Sequence, residues 1–341
     1  MEVSNDCVSQ FAVDVTEASQ AGEARRAAVA CAERIGLDET ERGKVAIAAT
    51  EMATNVLKHA HDGQIVCQAL GRNGTRGIRL ISLDKGPGIP NVHAAMEDGY
   101  STAGSAGNGL GALKRLSSHF DLYTLPGRGT CVVAEFGRDR DPGAPNTLEV
   151  GVVCLPVRGE EVSGDGWAIK PLARSLALML VDGLGHGIYA AEAAREAVRI
   201  VAESQSGSPE LLLRDCHDAL RKTRGAAIAI AAIDEVKQTL TFAGLGNISA
   251  CIVTPQRSRG LASHNGTVGH QMHRTQEFSF PWTPDSVLVM HTDGLGTRWN
   301  LNEYPGLWAR DAHVIAAILY RDFARERDDS TVLVAKNSPW S

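Results

Sequence analysis

The amino-acid sequence predicts two α+β domains joined by a short linker. Its 341 residues are more than one hydrophobic core usually serves, so two cores are expected. Residues 137–147, GRDRDPGAPNT, combine charges, prolines and glycines without an apolar period, and strand-like apolar runs flank them on both sides. We therefore predict a first domain over residues 1–137, a linker over residues 138–148 and a second domain over residues 149–341.

The first domain is predicted to mix helices and strands with few crossovers. Periodic apolar residues and capping signals predict helices at residues 18–35 and 38–59, and a shorter helix near residues 110–118. Short apolar runs predict strands at residues 64–69, 78–84 and 130–136. This mixture indicates an α+β domain.

Strands dominate the second domain. Apolar runs bounded by turn residues predict strands at residues 150–156, 166–171, 176–182, 226–234, 239–244, 250–254, 287–292 and 331–335. Helical periodicity predicts helices at residues 188–203, 209–223 and 311–325. Many strands with a few long helices predict two antiparallel sheets with helices on the outside.

Composition and charge exclude several classes of partner. A formal net charge of −6 argues against nonspecific binding to nucleic acid or to an anionic membrane surface. The 7 cysteines are scattered and form no C-x-x-C pair, which is typical of reduced thiols. No apolar run approaches the roughly 20 residues of a membrane helix, and the first residues carry no basic leader. We expect a cytoplasmic protein with protein or small-molecule partners.

Polar residues in the first domain have the spacing of a nucleotide site. Glu51 and Asn55 lie four residues apart on a predicted helix, so their side chains share one face. Asp84 ends an apolar run and is followed by Gly86 and Gly88, which let the backbone approach a ligand. The Asp84 carboxylate can accept a hydrogen bond from an exocyclic amine, as adenine would offer.

A glycine-rich segment completes this first set. Gly107, Gly109 and Gly111 precede or open a predicted helix, whose free N–H groups and positive dipole end suit phosphate oxygens. A glycine-rich loop by itself is more often a plain turn. The order of the motifs is more informative: E-x-x-x-N, D-x-G-x-G, G-x-G-x-G and then Gly129 with Thr130.

This order resembles the nucleotide-binding boxes of the gyrase/histidine-kinase ATPase superfamily, and residues 84–122 more narrowly resemble the RsbT-type switch kinases. The resemblance implies an N-terminal α/β-sandwich ATPase domain that phosphorylates serine or threonine with ATP and Mg²⁺. It implies that Asn55 ligates Mg²⁺, Glu51 takes the proton of the substrate hydroxyl and Asp84 reads adenine. The remaining nucleotide contacts would come from Gly86, Gly88, Gly107, Gly109, Gly111 and Thr130.

Four aspartates of the second domain lie at predicted strand ends or turns: Asp165, Asp182, Asp293 and Asp328. Hard divalent cations prefer oxygen ligands and keep several waters, so a sparse set of carboxylates suits metal-assisted hydrolysis. A single Asp-Gly after an apolar strand is usually only a turn. Four such positions together favour a metal site.

The order G-D, D-G-x-G-H-G, H-x-D-G and D-D-x-T resembles the metal-dependent phosphatases of the SpoIIE, RsbU and RsbX group. The resemblance implies an α-β-β-α sandwich and two ions, Mn²⁺ or Mg²⁺. Asp182 would bridge them and Gly183 would lend its carbonyl, while Asp165, Asp293 and Asp328 complete the ligand set. Asp329 is kept as a residue that supports the ligands. His186 has two open interpretations: a general acid, or a cap of the helix that begins at Gly187.

The two resemblances together predict a bifunctional regulator that phosphorylates and dephosphorylates STAS-domain proteins, either RsbS/RsbR-like or anti-anti-sigma. A downstream regulator of RsbU type is a further expected partner. The alternative is an ATP-binding anti-sigma or regulatory clamp, without kinase activity, fused to a phosphatase. The presence of Glu51 argues against that alternative.

Overall fold

The computed structural model describes residues 10–72, 75–97, 109–137, 148–272 and 274–338. These residues divide into two compact units. The N-terminal unit contains the described residues of Val8–Pro145 together with Asn300–Arg321. The C-terminal unit contains those of Asn146–Trp299 and Asp322–Ser341. The boundary predicted at residues 138–148 stays a prediction, because residues 138–147 lie outside the described residues.

The N-terminal unit is built on one five-stranded antiparallel sheet in the order β1-β2-β3-β5-β4. Its elements are β1 (Gln10–Asp14), α1 (Ala18–Arg34), α2 (Glu39–His59), β2 (Gly63–Arg72), β3 (Thr75–Asp84), α3 (Val92–Met96), α4 (Gly109–Leu116), β4 (His119–Thr124) and β5 (Thr130–Phe136). Helices α1, α2 and α4 share a hydrophobic core with one face of this sheet.

Helix α2 shows how the sequence positions the first predicted site. Asp38 caps its N-terminus by accepting a hydrogen bond from Glu41 N at 2.8 Å, which satisfies a free donor of the first turn. The apolar face of α2 includes Val45 and Met52 and is buried in the core. Glu51 and Asn55 lie one turn apart on the same helix, beside this apolar face, and both are partly buried.

The C-terminal unit contains two antiparallel sheets in the orders β13-β10-β9-β8-β7 and β12-β11-β14-β15-β6. The strands are β6 (Leu148–Leu155), β7 (Asp165–Pro171), β8 (Leu176–Gly183), β9 (Ala226–Asp234), β10 (Thr239–Leu245), β11 (Ser249–Thr254), β12 (Arg257–Leu261), β13 (Phe278–Pro281), β14 (Val287–His291) and β15 (Ser330–Asn337). The helices of the second half are α5 (Ile188–Glu203), α6 (Pro209–Ala219) and α7 (Ala312–Phe323).

Two hydrophobic cores hold the layers of the C-terminal unit together. One core joins residues of both sheets, such as Leu180 and Met290. The other joins the opposite face of the first sheet with α5 and α6, through residues such as Met179 and Val198. The α+β fold class predicted for both halves is confirmed. Among the described residues, no helix is both long and apolar enough to cross a membrane.

Candidate functional sites

Helices α2 and α4 bring three residues of the predicted nucleotide site together. A Cβ atom placed on Gly109 would lie 3.3 Å from Glu51 Oε2 and 3.5 Å from Asn55 Nδ2. The carboxylate and the amide of α2 therefore face the first residue of α4, where helical N–H groups are available to an anion. Gly111 is buried in the same helix, and Gly107 lies outside the described residues.

Asp84 ends strand β3, and two backbone donors fix its carboxylate. Its Oδ1 accepts hydrogen bonds from Gly86 N at 2.8 Å and from Thr130 N at 3.1 Å. Burial raises the pKa of Asp84 above its usual range, and these two hydrogen bonds and the Arg321 charge oppose that rise. The carboxylate is thus held in one orientation, as recognition of a base requires.

Two glycines close the turns around Asp84. Gly88 has φ +75°, and a Cβ there would lie 2.6 Å from the carbonyl oxygen of Leu125. Gly129 has φ +84°, and a Cβ there would lie 2.0 Å from the carbonyl oxygen of Asp84. Only glycine permits both this backbone conformation and this approach. Thr130, the neighbour of Gly129, is buried and supplies its N–H to the carboxylate.

Thr124 is a residue of this site that the sequence motifs do not identify. Its hydroxyl accepts a hydrogen bond from Ile89 N at 2.8 Å and lies 3.1 Å from the Thr130 hydroxyl. It therefore ties the loop after Asp84 to the strands β4 and β5. The only sequence signal is a threonine at the end of a short strand, HFDLYT, that mixes polar and apolar residues.

In the C-terminal unit, Asp165 and Asp182 are direct partners in the β7–β8 pair. Asp165 Oδ2 accepts hydrogen bonds from the hydroxyls of Thr292 and Thr331, both at 2.8 Å. Burial, followed by the charge of Asp182, raises the pKa of Asp165 well above its usual range. The two threonines lie inside the D-D-x-T and H-x-D-G motifs, but neither was predicted to contact Asp165; together they hold one oxygen of this carboxylate.

The carboxylates of Asp182, Asp293 and Asp328 concentrate negative charge. Burial and then the charges of Asp293, Asp328 and Asp329 raise the pKa of Asp182 to about 7. Burial and then the charge of Asp328 raise the pKa of Asp293. Carboxylates that repel one another in this way suit a divalent cation, which would offset their charge.

The carboxylates do not form a closed cage by themselves. Within the described ranges, no group of three or more His, Cys, Asp or Glu side chains has an arrangement that could hold an ion. Backbone oxygen atoms and water would have to complete the coordination, as Mg²⁺ commonly requires. Gly183 ends strand β8 beside Asp182, and a Cβ on it would lie 2.2 Å from the Ala190 carbonyl oxygen, so this position requires glycine.

Asp329 binds backbone donors. Its Oδ1 accepts a hydrogen bond from Val157 N at 2.7 Å, and its Oδ2 accepts one from Gly164 N at 2.6 Å. The side chain is almost fully buried. Asp329 therefore holds the segment that leads into Asp165.

His186 is exposed and lies beside an acidic residue. Its Nδ1 is 3.0 Å from Glu160 Oε1, and 65% of its side chain is accessible to solvent. The N-cap residue of α5 is Gly187, which makes no side-chain capping bond. The geometry leaves the imidazole available to a substrate, and its role as a general acid stays a prediction.

Comparison with known proteins matches two different families to two parts of the chain. Residues 15–136 match the family model described as "Histidine kinase-like ATPase domain", and residues 173–337 match "Stage II sporulation protein E (SpoIIE)". The first match contains Glu51, Asn55, Asp84 and Thr130. The second contains Asp182, Asp293 and Asp328 and begins after Asp165.

Two curated proteins of Bacillus subtilis (strain 168) are similar to this chain. The serine/threonine-protein kinase RsbT is 37% identical over 103 residues, which are 30% of this chain and 77% of RsbT. The phosphoserine phosphatase RsbX is 25% identical over 149 residues, which are 43% of this chain and 75% of RsbX. A solved structure described as "The bacterial stressosome: a modular system that has been adapted to control secondary messenger signaling" matches with 26% identity and a TM-score of 0.52. That match covers 55% of this chain and 99% of the other.

Proposed function

Because the chain belongs to the RsbT-like histidine kinase-like ATPases in its first half and joins them to a SpoIIE-family phosphatase domain, we propose that it controls a phosphorylation switch in both directions. The first half phosphorylates a serine or threonine of a STAS-domain protein with ATP. The second half removes that phosphate. The target is of the RsbS/RsbR or anti-anti-sigma type, and a regulator of RsbU type acts downstream.

The kinase assignment is supported most by the convergence of Glu51 and Asn55 on Gly109. Phosphoryl transfer needs mainly positioning and charge neutralisation. Glu51 accepts the proton of the substrate hydroxyl, and Asn55 lends its amide oxygen to the Mg²⁺ that accompanies ATP. Asp84 receives the exocyclic amine of adenine, while N–H groups from Gly109 onward bind the phosphates.

A clamp that only binds ATP needs no catalytic base at this position. The presence of Glu51 therefore favours a kinase over the anti-sigma alternative. Glu51 lies on the rigid helix α2 and faces the start of α4, where phosphate oxygens are expected. A carboxylate beside phosphate oxygens repels them and so lowers the affinity of a site that only binds nucleotide. The same carboxylate is useful to a kinase, as the acceptor of the proton of the substrate hydroxyl, so its presence favours transfer over simple binding.

The phosphatase assignment is supported by the clustered charge of Asp182, Asp293 and Asp328. These carboxylates, with Asp165 and the carbonyl of Gly183, are the proposed ligands of two ions, Mn²⁺ or Mg²⁺. When bound, such ions supply an activated water and offset charge on the phosphoryl oxygens. Asp329 keeps the segment before Asp165 in place, and His186 is proposed to protonate the leaving seryl oxygen.

We place this regulator in the cytoplasm, with no nucleic acid and no membrane as partner. The cysteines that the structure describes are free thiols, and Cys251 alone among them is less than fully buried. Burial raises the pKa of Cys67 and of Cys216 far above the usual range, so both thiols are inert. These observations support a reducing location.

The decisive experiment uses the full chain, a purified RsbS-like STAS protein and ATP labelled in the γ-phosphate. With Mg²⁺, the Asp182→Asn chain, in which the proposed phosphatase is disabled, should transfer label to the STAS protein, and adding Glu51→Gln should abolish transfer while ATP binding persists. Starting from the phosphorylated STAS protein, the Glu51→Gln chain should release phosphate, whereas Asp182→Asn should not. Transfer that survives Glu51→Gln excludes Glu51 as the base, and ATP binding without any transfer by the Asp182→Asn chain supports the clamp.

A further inference from the structure

A segment from the second half of the chain, Asn300–Arg321, belongs to the N-terminal unit. It contacts the turn between β4 and β5 and the strands beside it. The guanidinium carbon of Arg128 lies 5.6 Å from the ring centroid of Tyr304, within cation–π range. The Tyr123 hydroxyl donates a hydrogen bond to the Pro305 carbonyl at 3.3 Å. The segment thus touches the turn that carries Gly129, next to the nucleotide site.

Polar contacts at the outer strand β4 fix the same segment. Asp121 accepts hydrogen bonds from Arg310 Nη1 at 3.1 Å and from Asp311 N at 2.9 Å. His119 Nε2 in turn contacts the Asp311 carboxylate. Charge-assisted hydrogen bonds of this kind are directional, so the segment has one defined position on the strand.

Strand β5 is buried on both of its faces. One face belongs to the core with α1, α2 and α4. On the other face lies Glu135; burial raises its pKa, but the Arg79 guanidinium and, after it, His313 of α7 lower it below its usual range. An antiparallel sheet commonly leaves one face to solvent. Here the face opposite the helices is buried, and residues of α7 lie near it.

Arg321 connects α7 to the nucleotide site. Its side chain is 9% exposed, and its Nη1 donates a hydrogen bond to the Asp84 carbonyl oxygen at 3.1 Å. The same carbonyl oxygen is the atom that a Cβ on Gly129 would meet. Asp84 is therefore held twice: its carboxylate by Gly86 N and Thr130 N, and its backbone by Arg321.

We propose that Arg321, supplied by the phosphatase half, is a positioning residue for nucleotide binding. Its guanidinium fixes the end of β3, and this sets the orientation in which the Asp84 carboxylate meets the exocyclic amine of adenine. The inference rests on the proposed assignment of Asp84 to adenine, and it makes the ATP affinity of the first half depend on a helix of the second half.

The residues at the end of α7 and just after it are hydrogen-bonded to the loop that carries Asp293. Phe323, the last residue of α7, accepts a hydrogen bond at its carbonyl from Gly296 N at 2.8 Å. Arg325 N donates to the Gly294 carbonyl at 2.7 Å. Only four positions along the chain therefore separate a residue that holds Asp84 from a residue bonded beside the proposed metal ligand Asp293. Nucleotide and metal binding should consequently influence each other, and by thermodynamic linkage to the same extent.

The test measures equilibrium binding of Mg·ATP and Mg·GTP to the full chain by calorimetry. Arg321→Met keeps most of the apolar stem but removes the donor, and it should weaken ATP binding about tenfold, as expected for one charge-assisted hydrogen bond. Guanine carries no amine at the position where adenine has one, so GTP should bind the unaltered chain more weakly than ATP. Arg321→Met should change the GTP affinity much less than the ATP affinity, and the ratio of the two affinities should fall. Arg321→Lys should recover part of the affinity.

Arg310→Met is the matched control, because Arg310 lies on the same segment and contacts Asp121 instead of Asp84. It should change ATP affinity less than twofold. Equal weakening of ATP by both variants, or equal weakening of ATP and GTP by Arg321→Met, would mean that Arg321 only stabilises the fold and would overturn the proposal. An unchanged ATP affinity in Arg321→Met and in Arg321→Lys would overturn it as well.

Phosphate transfer is a separate readout. If the Asp182→Asn chain binds ATP but transfers no phosphate, the proposed kinase function fails, while the effect of Arg321 on binding still decides this inference. The link to the metal loop is measured through the Mn²⁺ concentration that gives half-maximal hydrolysis of p-nitrophenyl phosphate, with and without a non-hydrolysable ATP analogue. The analogue should shift that concentration in the unaltered chain and in Arg310→Met, and not in Arg321→Met. An equal shift in all three chains would refute the link.

Discussion

Replacing Asp329 by alanine should loosen the phosphatase unit at one defined place. The carboxylate accepts hydrogen bonds from Val157 N at 2.7 Å and Gly164 N at 2.6 Å, and the side chain is almost fully buried. Hydrogen bonds to a charged group contribute about 1.5–3 kcal/mol each, so the loss of both costs about 3–6 kcal/mol. Relief of repulsion with Asp182 returns a part of this, and about 3 kcal/mol should remain.

The assay is thermal unfolding of the full chain without metal. For a unit of this size, about 1 kcal/mol corresponds to about 2–4 °C, so the transition of the C-terminal unit should fall by about 6–12 °C. Asp329→Asn keeps one acceptor oxygen, so it should lower the transition temperature by roughly half as much. Asp218→Ala removes a carboxylate that pairs with Arg221 on the surface, and it should shift the transition by less than about 2 °C.

A second readout separates anchoring from general stability. Gly164 precedes the proposed ligand Asp165, so its release should raise the Mn²⁺ concentration needed for half-maximal phosphatase activity in Asp329→Ala. The reasoning is refuted if Asp329→Ala melts within about 2 °C of Asp218→Ala, since buried donors without partners cannot be that inexpensive. It is also refuted if Asp329→Ala melts lower but keeps the Mn²⁺ requirement of the unaltered chain.

Three further outcomes are expected. Gly129→Ala should abolish ATP binding, because its Cβ would lie 2.0 Å from the Asp84 carbonyl oxygen, whereas Gly127→Ala, with similar φ and open space, should retain binding in the same calorimetric titration. Burial raises the pKa of Glu135, but the Arg79 guanidinium outweighs it and lowers the pKa to about 2. The contribution of Glu135 to the free energy of unfolding is therefore complete above its unfolded pKa. It is lost as the pH falls from about 4.5 through 2, and it amounts to at most about 3 kcal/mol. In denaturant titrations, the stability of Glu135→Gln should therefore depend less on pH in the acid range than that of the unaltered chain. EDTA should stop phosphate release from a phosphorylated STAS protein and Mn²⁺ should restore it; release that persists in EDTA contradicts a metal-dependent phosphatase.

Long buried elements could be predicted from the sequence, because their patterns are local. The caps and apolar period of α2 and α5 predicted helices at 38–59 and 188–203, which are confirmed. Strand β9 has the bounds expected for a continuous apolar run. The short strands β1, β4, β12 and β13 were not predicted. They lie at the edges of their sheets and are only four to six residues long, and β12 exposes four of its five residues, so their apolar patterns are too short to identify a strand.

The residues of the candidate sites also differ in whether the sequence could predict them. Motif spacing predicted Asp165, Asp182 and Asp293 as metal ligands, because each carboxylate opens, ends or follows an apolar run, and this role stays a prediction. Thr292 and Thr331 lie inside the H-x-D-G and D-D-x-T motifs, yet motif spacing did not predict that their hydroxyls bind Asp165. They reach Asp165 from the strand ends of a different sheet, and nothing local in the chain encodes that meeting. Contacts between distant segments arise from packing, which a linear pattern does not contain.

Helix α7 is apolar on all of its sides, unlike a helix on the surface of a single domain. Its central residues, VIAAIL, are fully buried around the whole helix, and Arg321 near its end is buried as well. A helix that is hydrophobic on all sides must be covered on all sides, unlike the amphipathic helix on the surface of a single domain. The sequence therefore indicates that this helix is enclosed and does not lie on the surface of a domain. The segment Asn300–Arg321, which carries most of α7, belongs to the N-terminal unit, so a second-half segment is part of the architecture around the nucleotide site.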